Sequence, residues 1–175
     1  LAGPVVAAAV ILPRRHRIRG LADSKTLSPR RREELDRVIR AQAVAVAVAQ
    51  VEAEEIDRIN ILRATHLAMA EAVSRLAVTP DFLLVDGYPV PGLPVAHRAI
   101  PGGDAAVPLI AAASIVAKVH RDRLMEEHHR LWPAYGFDAH KGYGTAAHRR
   151  AIARHGPCPI HRRTFAGVRE HLGTP

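Results

Sequence analysis

The sequence predicts an α/β fold, and three observations predict it. Short apolar runs bounded by turn residues alternate along the chain with longer segments of helical periodicity. Val44–Val51 alternates large and small apolar residues, as strands buried on both faces do. Leu83-Leu84-Val85-Asp86-Gly87 is an apolar run that ends in a carboxylate at a glycine turn, and open α/β sheets gather their chemistry at the carboxyl ends of strands.

Taken in order, Pro4–Leu12 is Val- and Ala-rich and reads as a strand, followed by a basic connection over Pro13–Gly20. Ser28 before Pro29 reads as N-cap and first helical residue, and a helix to about Ala41 carries Leu35, Val38 and Ile39 as its apolar stripe. The strand Val44–Val51 leads into Glu52–Arg58, which reads as a short acidic turn or one helical segment, with its carboxylates solvated. Helical periodicity runs over Ile59–Leu76, and Thr79-Pro80-Asp81 leads into the strand Phe82–Asp86. Tyr88–Pro94 is a Pro- and Gly-rich loop, Val95–Ile100 a short edge strand, and Gly102-Gly103-Asp104 a second turn. Pro108–His128 reads as a long helix, Trp132–Thr145 as a loop, Ala146–His155 as a last helix closed by Gly156, and Gly156–Pro175 as a tail. No linker or repeat divides the 175 residues, so one domain over 1–175 is expected, with 146–175 packed on it as a C-terminal helix and tail.

The formal charge is +8 and the sequence pI is about 10.7, which favours polyanionic partners. Lysine occurs only as Lys25, Lys118 and Lys141, against 22 arginines. One cysteine, Cys158, excludes an intrachain disulfide and fits a reducing compartment, so a cytoplasmic location is expected. No run has the length of a membrane span, and no signal peptide is visible. The histidines show no metal-ligand spacing, and no zinc site is assigned.

Four places carry candidate chemistry. Asp86 is either a metal ligand or a member of a common Asp-Gly turn. Ser114, Lys118 and Asp122 stand four apart on one face of an otherwise apolar helix, where Lys118 and Asp122 are either a helical ion pair or part of a site. His140-Lys141-Gly142-Tyr143-Gly144-Thr145 sets Tyr143 between glycines beside Lys141, a pattern that suits stacking on a base or sugar next to a phosphate, or else a loop packed on the core. Asp23-Ser24-Lys25 precedes a helix N-terminus and reads as an anion site or as turn chemistry. Two carboxylates from different elements among basic and aromatic loops fit Mg²⁺ or Mn²⁺ acting on a phosphodiester. A non-catalytic basic nucleic-acid-binding module is the competing expectation, as is a resolvase- or exonuclease-type nuclease.

The blocks Leu1-Ala2-Gly3-Pro4-Val5-Val6, Leu21-Ala22-Asp23-Ser24-Lys25, Leu84-Val85-Asp86-Gly87, Ala112-Ala113-Ser114-Ile115-Val116-Ala117-Lys118 through Asp122, His140–Thr145 and Gly156-Pro157-Cys158-Pro159-Ile160-His161-Arg162-Arg163 together resemble bacterial ribonuclease HII. Each block is weak alone, but the ordered set is specific and covers nearly the whole chain. The resemblance implies a ribonuclease H-like mixed β-sheet flanked by helices. It implies two-metal endonucleolytic cleavage of RNA–DNA hybrids and of ribonucleotide-containing duplex DNA, giving 5′-phosphate and 3′-hydroxyl ends, by a monomer using Mn²⁺ or Mg²⁺. It assigns Asp86 and Asp122 to metal and catalysis, Tyr143 to stacking on a sugar at the RNA–DNA junction, and, with lesser weight, Ser24, Lys25, Lys118 and Lys141 to the substrate backbone or the order of the site. In that family an Asp-Glu-Ala-Gly-Arg-Gly segment, the first and central strand, precedes the Leu-Ala-Gly-Pro block. The chain as written starts at Leu1, so it is expected to be inactive and poorly stable, and Mn²⁺-dependent cutting by it would overturn that expectation.

Overall fold

The computed structural model describes residues 1–173. β1 (Val5–Ile11) and β2 (Ala45–Val51) pair in a two-stranded sheet. Along β2 the residues Ala45, Ala47, Ala49 and Val51 are buried, while Val46 and Val48 pack partly buried against the core, so the large-small alternation does report two covered faces. β3 (Leu83–Asp86) and β4 (His97–Ile100) pair in parallel, with Leu83 opposite His97 and Asp86 opposite Ile100.

α1 (Pro29–Gln42) begins where its cap requires: Ser28 accepts a hydrogen bond from the Arg31 N–H through its side chain, and Pro29 takes the first helical position, where no N–H is needed. Its buried face is Leu35, Asp36 and Ile39. The expected Val38 instead stays 38% exposed, and the polar Asp36 is accommodated by Arg40 at 2.9 Å. Of the two readings of the acidic stretch the structure takes the helical one, α2 (Ala53–Ile59), and Asn60, at φ 72°, separates it from α3 (Ile61–Ser74). Nor is Asp57 merely solvated, because its carboxylate accepts from the Arg163 and Thr164 N–H groups and the Thr164 hydroxyl.

The expected turn Gly102-Gly103-Asp104 instead opens a one-turn helix, α4 (Gly103–Ala106), and α5 (Pro108–Leu131) follows over the predicted span and three residues beyond it. The expected loop 132–145 contains a 3-10 turn at Pro133–Tyr135 and α6 (Phe137–His140). α7 (Ala146–His155) is capped by the Thr145 side chain and ends at Gly156. The tail pairs as well: Ala2 and His161 form an antiparallel bridge, the Arg162 N–H donates to the Leu1 carbonyl, and a 3-10 turn covers Arg169–His171. Among the described residues, no helix is long and apolar enough to cross a membrane.

The chain gathers into two compact units, whose boundaries fall inside β1, β2, α3 and α5, so no linker marks them in the sequence. One unit holds Leu1–Val5, Gln50–Ala64 and the chain from His120 onward, and includes a core cluster of Ala2, Met125, Tyr135, Phe137 and Cys158. The other holds Val6–Ala49 and Thr65–Val119, and includes a cluster of Ile18, Leu35, Ile39, Ala112, Ile115, Val116 and Val119.

Candidate active site

In the unit built from Val6–Ala49 and Thr65–Val119, β3 delivers Asp86 to its carboxyl end. Beyond the partner strand β4 the chain enters α4, and the Gly103 N–H donates to Asp86 Oδ1 at 2.8 Å. A Cβ at position 103 would stand 2.5 Å from Ile110 Cδ1, so another residue there would require the Ile110 side chain to shift. The next residue, Asp104, is only 5% exposed. A carboxylate so buried needs a partner of opposite charge. Lys25 supplies it, with Nζ 3.0 Å from Asp104 Oδ2. The Lys25 pKa is raised, chiefly by that hydrogen bond, with the charges of Asp104, Asp23 and Asp86 adding to it against the cost of burial.

The turn that presents Lys25 is closed by Asp23, whose side chain accepts from the Lys25 N–H at 2.9 Å and whose carbonyl accepts from the Thr26 hydroxyl at 2.8 Å. Ser24 is buried, and its hydroxyl lies 2.9 Å from the Ser114 hydroxyl on α5. The Ser24–Ser114 contact thus ties the turn to α5, and Lys25 pairs with Asp104. Lys118 lies half-buried one turn further along α5, and Asp122 follows on the same helix face, in the segment that belongs to the other unit.

In that other unit, Arg121 organises the Tyr143 loop. Its buried guanidinium donates to the carbonyls of Lys141 at 2.9 Å, Pro4 at 3.2 Å and Ala2 at 3.3 Å, and lies over the Tyr143 ring, 5.1 Å from the centroid. Burial pulls the Arg121 pKa down, and it pulls that of Arg162, which binds the Gly3 and Pro4 carbonyls, to about 10. Tyr143 itself is 57% exposed, as a stacking ring requires. Lys141 Nζ pairs with Glu126 at 2.6 Å, which holds the ammonium while leaving it further N–H donors. Gly142 has φ 79°, and a Cβ there would stand 2.5 Å from the Ala2 carbonyl oxygen. Gly142→Ala is therefore expected to destabilise the protein by about 2–4 kcal/mol, because the obstacle is backbone that cannot swing away. A denaturation midpoint at unchanged slope measures this.

The structure thus brings Asp86, Lys25, Ser24 and Ser114 together with Asp104, a residue the sequence reading left in a turn. Gly-Gly-Asp is turn composition, and only the acid opening a helix just after a strand hinted at more. Arg121, read only as part of a motif, is the second residue missed. Among the described residues, no group of three or more His, Cys, Asp or Glu side chains is arranged to hold a metal ion. The two gathered acids are nonetheless oxygen donors of the kind Mg²⁺ and Mn²⁺ take, and one of them already faces a cation, the Lys25 ammonium. In type, then, the donor set fits a hard divalent ion.

Comparison with known proteins accords with this chemistry. The family model for ribonuclease HII matches residues 1–168. A ribonuclease HII of Geobacter sulfurreducens is 60% identical over 174 residues, spanning 99% of this chain and 80% of that protein. One from a Polaromonas species is 56% identical over 172 residues, spanning 98% and 86%. Among solved structures, the ribonuclease HII in a PCNA complex from Archaeoglobus fulgidus superposes with a TM-score of 0.78 at 29% identity, over 96% of this chain and 90% of that one. The ribonuclease H2 of Pyrococcus horikoshii gives 0.76 at 26% identity, over 96% and 91%.

Proposed function

Since the chain belongs to the ribonuclease HII family, and so is a type 2 ribonuclease H acting on nucleic acid, we propose that it cuts the RNA strand of RNA–DNA hybrids and single ribonucleotides embedded in duplex DNA, leaving 5′-phosphate and 3′-hydroxyl ends. The observation that carries this reading is the cluster of Asp86, Gly103, Asp104 and Lys25 at the end of β3. The family depends on divalent metal, and Asp86 and Asp104 are the residues that would hold it here, with Mn²⁺ or Mg²⁺ in a two-metal arrangement. When bound, such ions lower the pKa of the attacking water and stabilise the leaving oxygen.

The chain's own residues prepare that chemistry. The Gly103 N–H fixes one oxygen of Asp86 and leaves the carboxylate further lone pairs for a cation. Lys25 balances the buried Asp104 charge and, with its side chain largely exposed, keeps further N–H donors to offer a phosphate. Ser24 holds its turn against α5. Tyr143, braced by Arg121, stacks on a sugar at the RNA–DNA junction, and Lys141 and Lys118 meet the substrate backbone. Asp122 on α5, the other ligand expected from the sequence, is a further carboxylate donor for that metal.

The test is a duplex carrying one ribonucleotide, incubated in Mg²⁺ or Mn²⁺ with the chain as written and with the chain preceded by Asp-Glu-Ala-Gly-Arg-Gly. The extended chain is expected to cut at the ribonucleotide and leave a 3′-hydroxyl. Equal cutting of an all-DNA duplex, or attack from a free DNA end, overturns the reading.

A further inference from the structure

In the unit that carries the Tyr143 loop lies a row of buried groups with no part in the carboxylate cluster. His148 is 0% and His161 1% exposed. Their Nε2 atoms are 3.0 Å apart. His148 Nδ1 is 2.9 Å from the Tyr143 carbonyl oxygen, and the Cys158 N–H points at His161 Nδ1 from 2.9 Å.

These contacts admit one order of protons. A carbonyl only accepts, so His148 carries its proton on Nδ1 and donates it to Tyr143. A backbone N–H only donates, so His161 Nδ1 is bare and its proton sits on Nε2. That proton is donated to the bare Nε2 of His148, and both rings are neutral. The Cys158 thiol supports the assignment. Its Sγ lies 3.1 Å from His161 Nδ1, and burial holds its pKa up at about 11, so it stays a neutral thiol that shares the lone pair with the nearer amide; the Cys158 carbonyl, at 3.3 Å, is the longer contact. Burial also holds the pKa values of His148 and His161 down at about 4. His140, stacked on His148 with ring centroids 4.3 Å apart, follows the same logic: it accepts the Gly142 N–H on Nδ1 and donates from Nε2 to the Tyr135 carbonyl.

We propose that His161 and His148 are positioning residues, a one-way hydrogen-bond relay from the Cys158 turn to the Tyr143 carbonyl that aims the Tyr143 ring at the substrate. The proposal rests on the reading of Tyr143 as a stacking residue, but the relay itself is a statement about protons and is tested separately. In ¹⁵N NMR spectra of the imidazoles at pH 7, the expected pattern is His148 protonated on Nδ1 alone and His161 on Nε2 alone. A proton on His148 Nε2, or a cationic ring, overturns the relay. This readout needs no variant.

Affinity for a single-ribonucleotide duplex, measured in EDTA so that nothing is cut, tests the positioning. Tyr143→Ala is expected to weaken binding by ~10-fold or more, the usual scale for a lost stacking ring. His148→Phe keeps an aromatic ring against His140 but removes the donor, and is expected to weaken binding by ~5–10-fold. In His148→Asn the side-chain amide replaces the Nδ1–H, and affinity returns to within ~3-fold of the parent. In a Tyr143→Ala background, His148→Phe adds nothing. If Tyr143→Ala leaves affinity unchanged, the stacking reading falls and the positioning role falls with it. If Tyr143→Ala weakens binding while His148→Phe does not, or if the two effects add, the positioning role alone is overturned.

Discussion

Asp104→Asn and Asp86→Asn should each lower the single-turnover rate of cutting at an embedded ribonucleotide by ~10³-fold or more, about 4 kcal/mol of barrier, in the chain preceded by Asp-Glu-Ala-Gly-Arg-Gly. Each replaces a charged oxygen pair with a neutral amide that binds a hard divalent ion poorly. Substrate affinity should hold or tighten, because the change removes negative charge that faces phosphates. The fold should survive Asp104→Asn: the amide oxygen introduced there can still accept from Lys25, whose side chain is 73% exposed and finds water. Asp122→Asn is the comparator. A loss well under tenfold leaves Asp104 as the carboxylate that shares the site with Asp86, whereas a loss matching that of Asp104→Asn brings Asp122 into it. Tighter binding with no loss of rate in all three variants would sink the assignment of the site.

Stability should fall steeply as the pH drops from about 6.5 to about 4, through His148 and His161. Both rings are neutral in the fold with pKa values near 4, against an ordinary value of 6.5, and burial is the main cause. Below pH 6.5 the unfolded chain takes up protons that the folded chain refuses, so the unfolded state gains. The contribution is therefore complete above pH 6.5, is lost progressively down to about pH 4, and levels off once both states are protonated. At 1.36 kcal/mol per unit the loss is at most on the order of 3 kcal/mol per ring. Proton order explains why neither ring accepts the charge easily, since an added proton would set N–H against N–H between the rings or at the Cys158 amide. Urea midpoints at pH 7, 5.5 and 4.5 measure the slope. His161→Gln, which keeps a donor toward His148 but cannot titrate, should flatten it, and an unchanged slope in that variant would remove His161 from the account.

The local signals in the sequence were read correctly where they extend over two turns or more. Ser28-Pro29 opens α1, Val44–Val51 contains a strand covered on both faces, and the long apolar stretch from Pro108 is one helix. Where an element is a single turn, as at Gly103–Ala106 and Phe137–His140, no period has room to develop, and composition pointed to turns and loops instead. Asp57 and Asp36 show a related limit. Both look like surface acids, and both are held by partners, one of them more than a hundred residues away along the chain and the other on its own helix.

By itself the sequence determined the α/β class, the strand that ends in Asp86 and, through the ordered motifs, the ribonuclease HII family with its ribonuclease H-like fold, while the exposure of Tyr143 between its glycines came from the folded chain. Only the tertiary structure decided that Asp104 joins the cluster at the end of β3, beside the Gly103 N–H that binds Asp86 and on the Lys25 ammonium. Periodicity ranks the faces of one element and made Asp122 a candidate, but it carries no information about what another element brings to that face. Asp104 joins the cluster because β4 pairs in parallel with β3 and the chain then turns into α4, where the Gly103 N–H meets the Asp86 carboxylate. The proton order of His161 and His148 is of the same kind, since it follows from which end of each ring meets a carbonyl or an amide, and that is fixed only when the chain has folded.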